Sequence, residues 1–186
     1  MAIYKNGNRL IRIWRGIKIS RIWKGSTLIF GYPPETLLFE RSTAGTYSLT
    51  LDYDVKCHIE IVGGGGGGLV IPAHDLFYGG GSGAYIKGDI IIPAGTYEII
   101  VGSGGAYSGG ASSSSFYGQT AGGGASGSTG SAGTPTVTLS ELTGINGNNG
   151  ALGHAGASVY DGQGTYGAGG FGFSGGTAGY VKIQTV

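Results

Sequence analysis

Charge is scarce in this chain. Eleven basic and ten acidic residues among 186 leave a net charge of +1, which excludes overall electrostatic capture of nucleic acid or an anionic membrane surface. A single cysteine excludes an intrachain disulfide framework and a cysteine-based zinc site. Five prolines fall far below the roughly 15–20% or more of a collagen. The three histidines, His58, His74 and His154, have no i, i+2 or i, i+4 partner, so no histidine metal site is expected. No apolar run approaches the roughly 18 residues of a membrane span, and no signal-peptide core follows the cationic start. Neither membrane insertion nor export by the general secretory route is expected.

What the chain does have is glycine. It fills 38 of the 117 positions from Gly63 to Gly179 and runs six deep at Gly63, Gly64, Gly65, Gly66, Gly67 and Gly68. Each glycine costs an α-helix about 1 kcal/mol relative to alanine, and glycine offers a sheet no cross-strand packing. The remaining regular conformation is the threefold polyproline II type of helix, whose backbone groups point outward and need partners. Helices of this type lying side by side can pair with one another, and only bare backbone permits that approach. Six glycines in a row are bare on all three edges, so 63–68 is expected to lie inside a packed polyglycine II bundle. Gly124, Gly127, Gly130 and Gly133, and then Gly144, Gly147, Gly150, Gly153 and Gly156, recur every third residue and predict peripheral helices with one bare edge. A disordered glycine–serine linker is the competing reading. The strand-like Ile90-Ile91-Ile92, Tyr97–Val101 and Tyr180–Val186 argue against it, as do only seven charged residues from Gly63 onward.

Residues 1–31 read as a separate basic, tryptophan-containing β-repeat segment. Ile3-Tyr4-Lys5-Asn6-Gly7, Ile13-Trp14-Arg15-Gly16 and Ile22-Trp23-Lys24-Gly25 each read as strand, tight turn, strand, and seven bases precede the first acid, Glu35. Such short hairpins bury little alone, so the segment is expected to dock on a partner or on copies of itself. The arginine–tryptophan interleaving fits stem packing as well as nucleic-acid stacking, and no nucleic-acid partner is expected. Tyr32-Pro33-Pro34 marks the boundary to a second domain, 32–186. There Tyr47, Leu49 and Leu51, and Val55, Cys57, Ile59 and Ile61, alternate inward. Pro93-Ala94-Gly95 forms a turn between two strands, and no α-helix is expected. The fold class is therefore mainly β, with strands anchoring the glycine helices.

Catalytic motifs fail on context. Gly172-Phe173-Ser174-Gly175-Gly176 fits G-x-S-x-G but lacks a following helix and a later histidine, and the G-x-G-x-x-G at Gly122, Gly124 and Gly127 lacks its helix and downstream acid. Asp75, Asp89, Glu98, Glu141 and Asp161 have no apolar setting that would tune an acid–base pair. No enzyme activity, cofactor or metal is expected. Aromatic and polar insertions between the glycine runs carry the candidate contacts instead: His74, Asp75, Leu76, Phe77 and Tyr78; Tyr107; Phe116 and Tyr117; Pro135 and Leu142 at the ends of Thr134–Leu142; and Tyr160 and Tyr166, with Phe171 and Phe173 nearby. Tyrosine among serine, glycine and asparagine is the vocabulary of adaptable binding loops. Aromatic caps closing the glycine helices from water are the alternative.

Gly45-Thr46-Tyr47, Ile61-Val62 running into Gly63–Gly68, Gly83-Ala84-Tyr85, Ile92-Pro93-Ala94-Gly95-Thr96, Ile100-Val101-Gly102-Ser103-Gly104-Gly105-Ala106 and the closing Gly179-Tyr180-Val181-Lys182-Ile183 together resemble the glycine-rich domain of bacteriophage and prophage tail-fibre tip proteins. The resemblance covers about residues 36–186. It is similar to T-even-type adhesins, which implies stacked polyglycine II helices whose connecting loops contact a receptor on the bacterial surface, an outer-membrane protein or a glycan. The opening repeats resemble short repeats at the front of some phage tail proteins. The expectation is a virion protein at a tail-fibre tip, attached to a fibre or baseplate protein through residues 1–31, with self-association possible. A purely structural tail component and an ice-binding protein are the alternatives.

Overall fold

The computed structural model describes residues 35–186 throughout and, before them, the backbone of β1 (Ala2–Lys5), β2 (Asn8–Arg12), β3 (Ile22–Lys24) and β4 (Thr27–Phe30). β1 pairs antiparallel with β2, Lys5 opposite Asn8, and β3 with β4, Lys24 opposite Thr27. The expected strand pairs of the first and third repeats are thus present. The middle repeat, the 6–7 turn and the Tyr32-Pro33-Pro34 boundary lie outside the described residues. Among the described residues there is no α-helix, only one 3-10 turn at Pro72–His74.

The following strands are β5 (Leu37–Arg41), β6 (Gly45–Leu51), β7 (Val55–Val62), β8 (Leu69–Ile71), β9 (Leu76–Tyr78) and β10 (Tyr85–Ile92). Then come β11 (Gly95–Val101), β12 (Ser114–Phe116), β13 (Gln119–Ala121), β14 (Pro135–Thr136), β15 (Leu142–Ile145) and β16 (Tyr180–Thr185). One antiparallel sheet runs β15-β10-β7-β16-β5 and a second runs β14-β13-β12-β11-β6. Period-two alternation sends Val55, Cys57, Ile59 and Ile61 of β7 to one side, where they meet Ile86, Ile90 and Ile92 of β10, Val181 and Ile183 of β16, and Leu49, Leu51, Ile99, Val101, Phe116 and Ala121 of the second sheet. Cys57 is fully buried within this core and forms no disulfide. Each fully buried isoleucine side chain removed from water contributes about 1.5–3 kcal/mol, so this shared face supplies the apolar driving force.

Ten glycine-rich segments leave one end of the two sheets: 63–68, 79–84, 102–106, 109–113, 122–125, 130–134, 146–151, 154–158, 167–170 and 174–179. Eight strands join them directly, each by the end that lies beside Val62, Tyr85 and Tyr180 in the first sheet or beside Val101 and Ala121 in the second. Residues 63–68 are buried throughout, and their N–H groups turn to three neighbours in rotation. Gly63 and Gly66 donate to Ala84 and Gly81, Gly64 and Gly67 to Ser112 and Gly109, and Gly65 and Gly68 to Thr177 and Ser174, all at 2.9–3.1 Å. Three further segments donate back: Gly124 to the Gly64 carbonyl, Gly105 to Gly65 and Gly170 to Gly66. A methyl group on Gly65 or Gly66 would land on the carbonyls of Ala168 or Ala125. Segment 79–84 repeats the pattern, donating in rotation to 148–151, 167–170 and 122–125, and accepting from Gly156, Gly66 and Gly133. The other eight segments bond edge to edge in a closed ring about these two.

The triplet glycines are divided differently from expectation. Gly127 and Gly153 have positive φ and open space where a Cβ would stand, and Gly144 belongs to β15. The chain therefore reverses at 126–129 and at 152–153, and each expected single helix is two segments or a strand plus two segments. A glycine that permits a left-handed turn and one that permits close approach are the same letter. Sequence period alone cannot separate them.

Candidate functional site

Five reversals, 69–78, 107–108, 126–129, 152–153 and 171–173, lie at the far end of the glycine segments. The longest is the hairpin β8–β9, with Leu69 opposite Tyr78, Val70 opposite Phe77 and Ile71 opposite Leu76. Pro72 starts its helical turn and Asp75 closes it in the left-handed region at φ 54°, which aspartate tolerates better than most residues. Phe77 packs edge-on to Phe173 at 6.3 Å and tilted against Phe171 at 6.4 Å, while Tyr107 sits 5.4 Å from Phe173. The Tyr107 hydroxyl donates to the Val70 carbonyl at 3.3 Å and the Gly153 N–H to that of Phe77 at 3.0 Å. Tyr78 bridges Leu152. Four reversals are thereby tied together, and the Ser126 hydroxyl donating to the Ser108 carbonyl at 2.7 Å adds the fifth.

The surface so formed is apolar and nearly uncharged. Phe173 is 68% exposed, Leu152 54%, and Phe171 and Tyr107 41% each. Asp75 carries the one fixed charge among the residues of these reversals, next to His74 in the chain. Glu35, where the preceding chain enters, donates its N–H to the Thr185 carbonyl at the opposite end of the first sheet. Chain entry and the aromatic surface therefore occupy opposite poles.

The sequence candidates divide accordingly. His74, Asp75, Leu76, Phe77, Tyr78 and Tyr107 come together at this pole. Phe116 and Leu142 do not: they are 1% and 7% exposed and sit in the core between the sheets. Their places on β12 and β15 point them inward, away from the molecular surface. Tyr117 forms the β12–β13 turn, 5.4 Å from Tyr97, and Pro135 pairs with Ala121, both away from the far pole. Val137 and Leu139 pack on the core, so 134–142 is part of the β-sheet body. Leu152 and Val70 belong to the aromatic pole without having been expected there. The facing triplets Leu69-Val70-Ile71 and Leu76-Phe77-Tyr78 across a proline–aspartate turn are the signal that marks the hairpin.

Tyr160 and Tyr166 build a second cluster, on the outer face of the first sheet. Tyr166 stacks on Tyr180 at 4.4 Å, and Tyr160 packs 5.3 Å from both Tyr180 and Tyr85, over Val62. The Tyr160 and Tyr180 hydroxyls donate to Glu60 at 3.1 Å and Glu40 at 2.7 Å. Burial, then the nearby carboxylates, raises the phenols: Tyr160 to about 12, and Tyr85 and Tyr180 further still. Lys87 bonds Asp161 and holds the carboxyl of Asp161 below the usual range. Outward-facing His58 bonds Asp89 at 2.7 Å and lowers it likewise, with Lys56 assisting. These are contacts that strap residues 158–166 to the sheet and order its polar face. Among the described residues no three His, Cys, Asp or Glu side chains are grouped closely enough to hold a metal ion.

Comparison with known proteins agrees with the distribution of glycine. No curated protein matches the chain. A family profile described as a glycine-rich domain matches residues 41–183, a span that begins in β5 and ends in β16 and so takes in both sheets and all ten glycine segments. The chain belongs to this glycine-rich domain family.

Proposed function

We propose that the glycine segments are polyglycine II helices packed as a bundle, and that the bundle presents its far-pole reversals as the receptor-binding tip of a phage tail adhesin. The first half of the reading is supported by the rotation of N–H partners every third residue along 63–68 and 79–84, the repeat of a threefold helix. The second half rests on one observation: five reversals converge on a single surface of exposed rings at the pole opposite chain entry. Exposed aromatic surface gathered in one place, away from the body's own core, marks an interaction site.

Rigidity is the working principle. Ordering glycine costs more conformational entropy than ordering any other residue, and the bundle meets that cost during folding, so the tip meets its receptor already shaped. Residues 1–31 attach the other pole to a fibre or baseplate protein in this reading, and the protein acts without catalysis. The test replaces Phe171, Phe173 and Tyr107 together with serine and measures adherence of the full chain to bacterial cells. Adherence should be lost while the thermal transition stays within a few degrees. Retained adherence would sink the proposal.

A further inference from the structure

Building on the receptor-binding reading, we infer that the tip takes a neutral sugar residue at the end of a surface glycan, stacked on Phe173 beside Tyr107. Shape argues first. The exposed rings Tyr107, Phe171 and Phe173 sit on two short reversals beside the β8–β9 hairpin, and a single aromatic side chain buries about 150–250 Å², a footprint that suits one or two sugar rings.

Charge argues second. The reversals contain no lysine, arginine or glutamate, and Asp75 is their one fixed charge. A phosphorylated or sialylated glycan would find no cation to pair with and one carboxylate to repel it. Geometry argues third. Phe173 is 68% exposed, tilted 30° from Tyr107 and at a steep angle to Phe77, so its ring has two aromatic neighbours and still leaves most of its surface to a ligand. Asp75 and His74, exposed on the neighbouring hairpin, supply an acceptor and a donor for ring hydroxyls.

The experiment applies the full chain, fluorescently labelled, to an array of neutral, sialylated and phosphorylated glycans, with Phe173→Ala and Phe173→Trp alongside. Neutral glycans should bind. Phe173→Ala should weaken binding about tenfold with an unchanged melting transition, Phe173→Trp should retain it, and raising NaCl from about 50 to 500 mM should leave it unaltered. An array that is silent, or positive for anionic glycans alone, overturns the inference, as does a Phe173→Ala protein that binds normally. Bacterial cells separate this failure from the failure of the tip reading. Adherence that survives periodate oxidation yet is lost in Phe173→Ala removes the sugar and keeps the tip. Adherence indifferent to Phe173→Ala and to the triple serine variant removes both.

Discussion

At the scale of single residues, the molecule distinguishes glycines that one letter makes identical. Gly66 has backbone on every side, and a Cβ there would land on the Ala125 carbonyl. Gly66→Ala must push two hydrogen-bonded segments apart and should cost more than about 4 kcal/mol, the range kept for severe steric or network damage. Gly110 meets nothing closer than 3.9 Å and has no left-handed φ. Gly110→Ala should therefore stabilise by about 0.4–1 kcal/mol through the unfolded chain, and thermal unfolding of the two variants checks the contrast. The tyrosine cluster gives a prediction in pH. A phenol whose folded pKa lies above its unfolded value of about 10 contributes stability fully present below pH 10. That stability is lost as pH rises toward the folded values, about 12 for Tyr160 and higher for Tyr85 and Tyr180. Melting temperature should hold to about pH 10 and then fall as phenolate absorbance appears, and Tyr160→Phe should flatten that decline.

At the scale of elements, the strands were legible and the reversals only partly so. Val55–Val62 and Gly45–Leu51 announce their buried faces by alternation, and each lies as read. The six-glycine run announces its burial by having no side chain to expose. Phe116 and Leu142 escaped because a lone aromatic in a serine run, or a leucine closing a polar stretch, carries no period. Their inward direction is set by pairing, of β12 with the preceding strand β11 across a glycine-rich excursion and of β15 with β10, which lies far away in the chain. Tyr160 and Tyr166 read as loop residues for the same reason: the sheet face they cover is assembled from β7, β10 and β16. The rotation of partners also makes an element-scale prediction. One residue inserted between Gly65 and Gly66 shifts every later N–H of 63–68 to the wrong neighbour, so circular dichroism and melting should show no cooperative fold. The same insertion between Ser128 and Thr129, in a reversal where Gly127 meets nothing within 4 Å, should leave melting almost unchanged.

At the scale of the whole molecule, two kinds of interior are joined end to end. The sheets enclose aliphatic side chains, and the glycine half encloses peptide groups bonded to other peptide groups. The surface divides along the same axis: chain entry at one pole, exposed rings at the other, and the hydrogen-bonded body between them. The enclosed peptide groups have a thermal consequence. Unfolding raises heat capacity where apolar surface meets water and lowers it where polar surface does, and segments 63–68 and 79–84 release almost no hydrocarbon. Calorimetry should therefore return a heat-capacity increment per residue below the usual 12–15 cal/mol/K. The stability curve should be correspondingly flat, holding its height in the cold, where ordinary oil-cored domains begin to weaken.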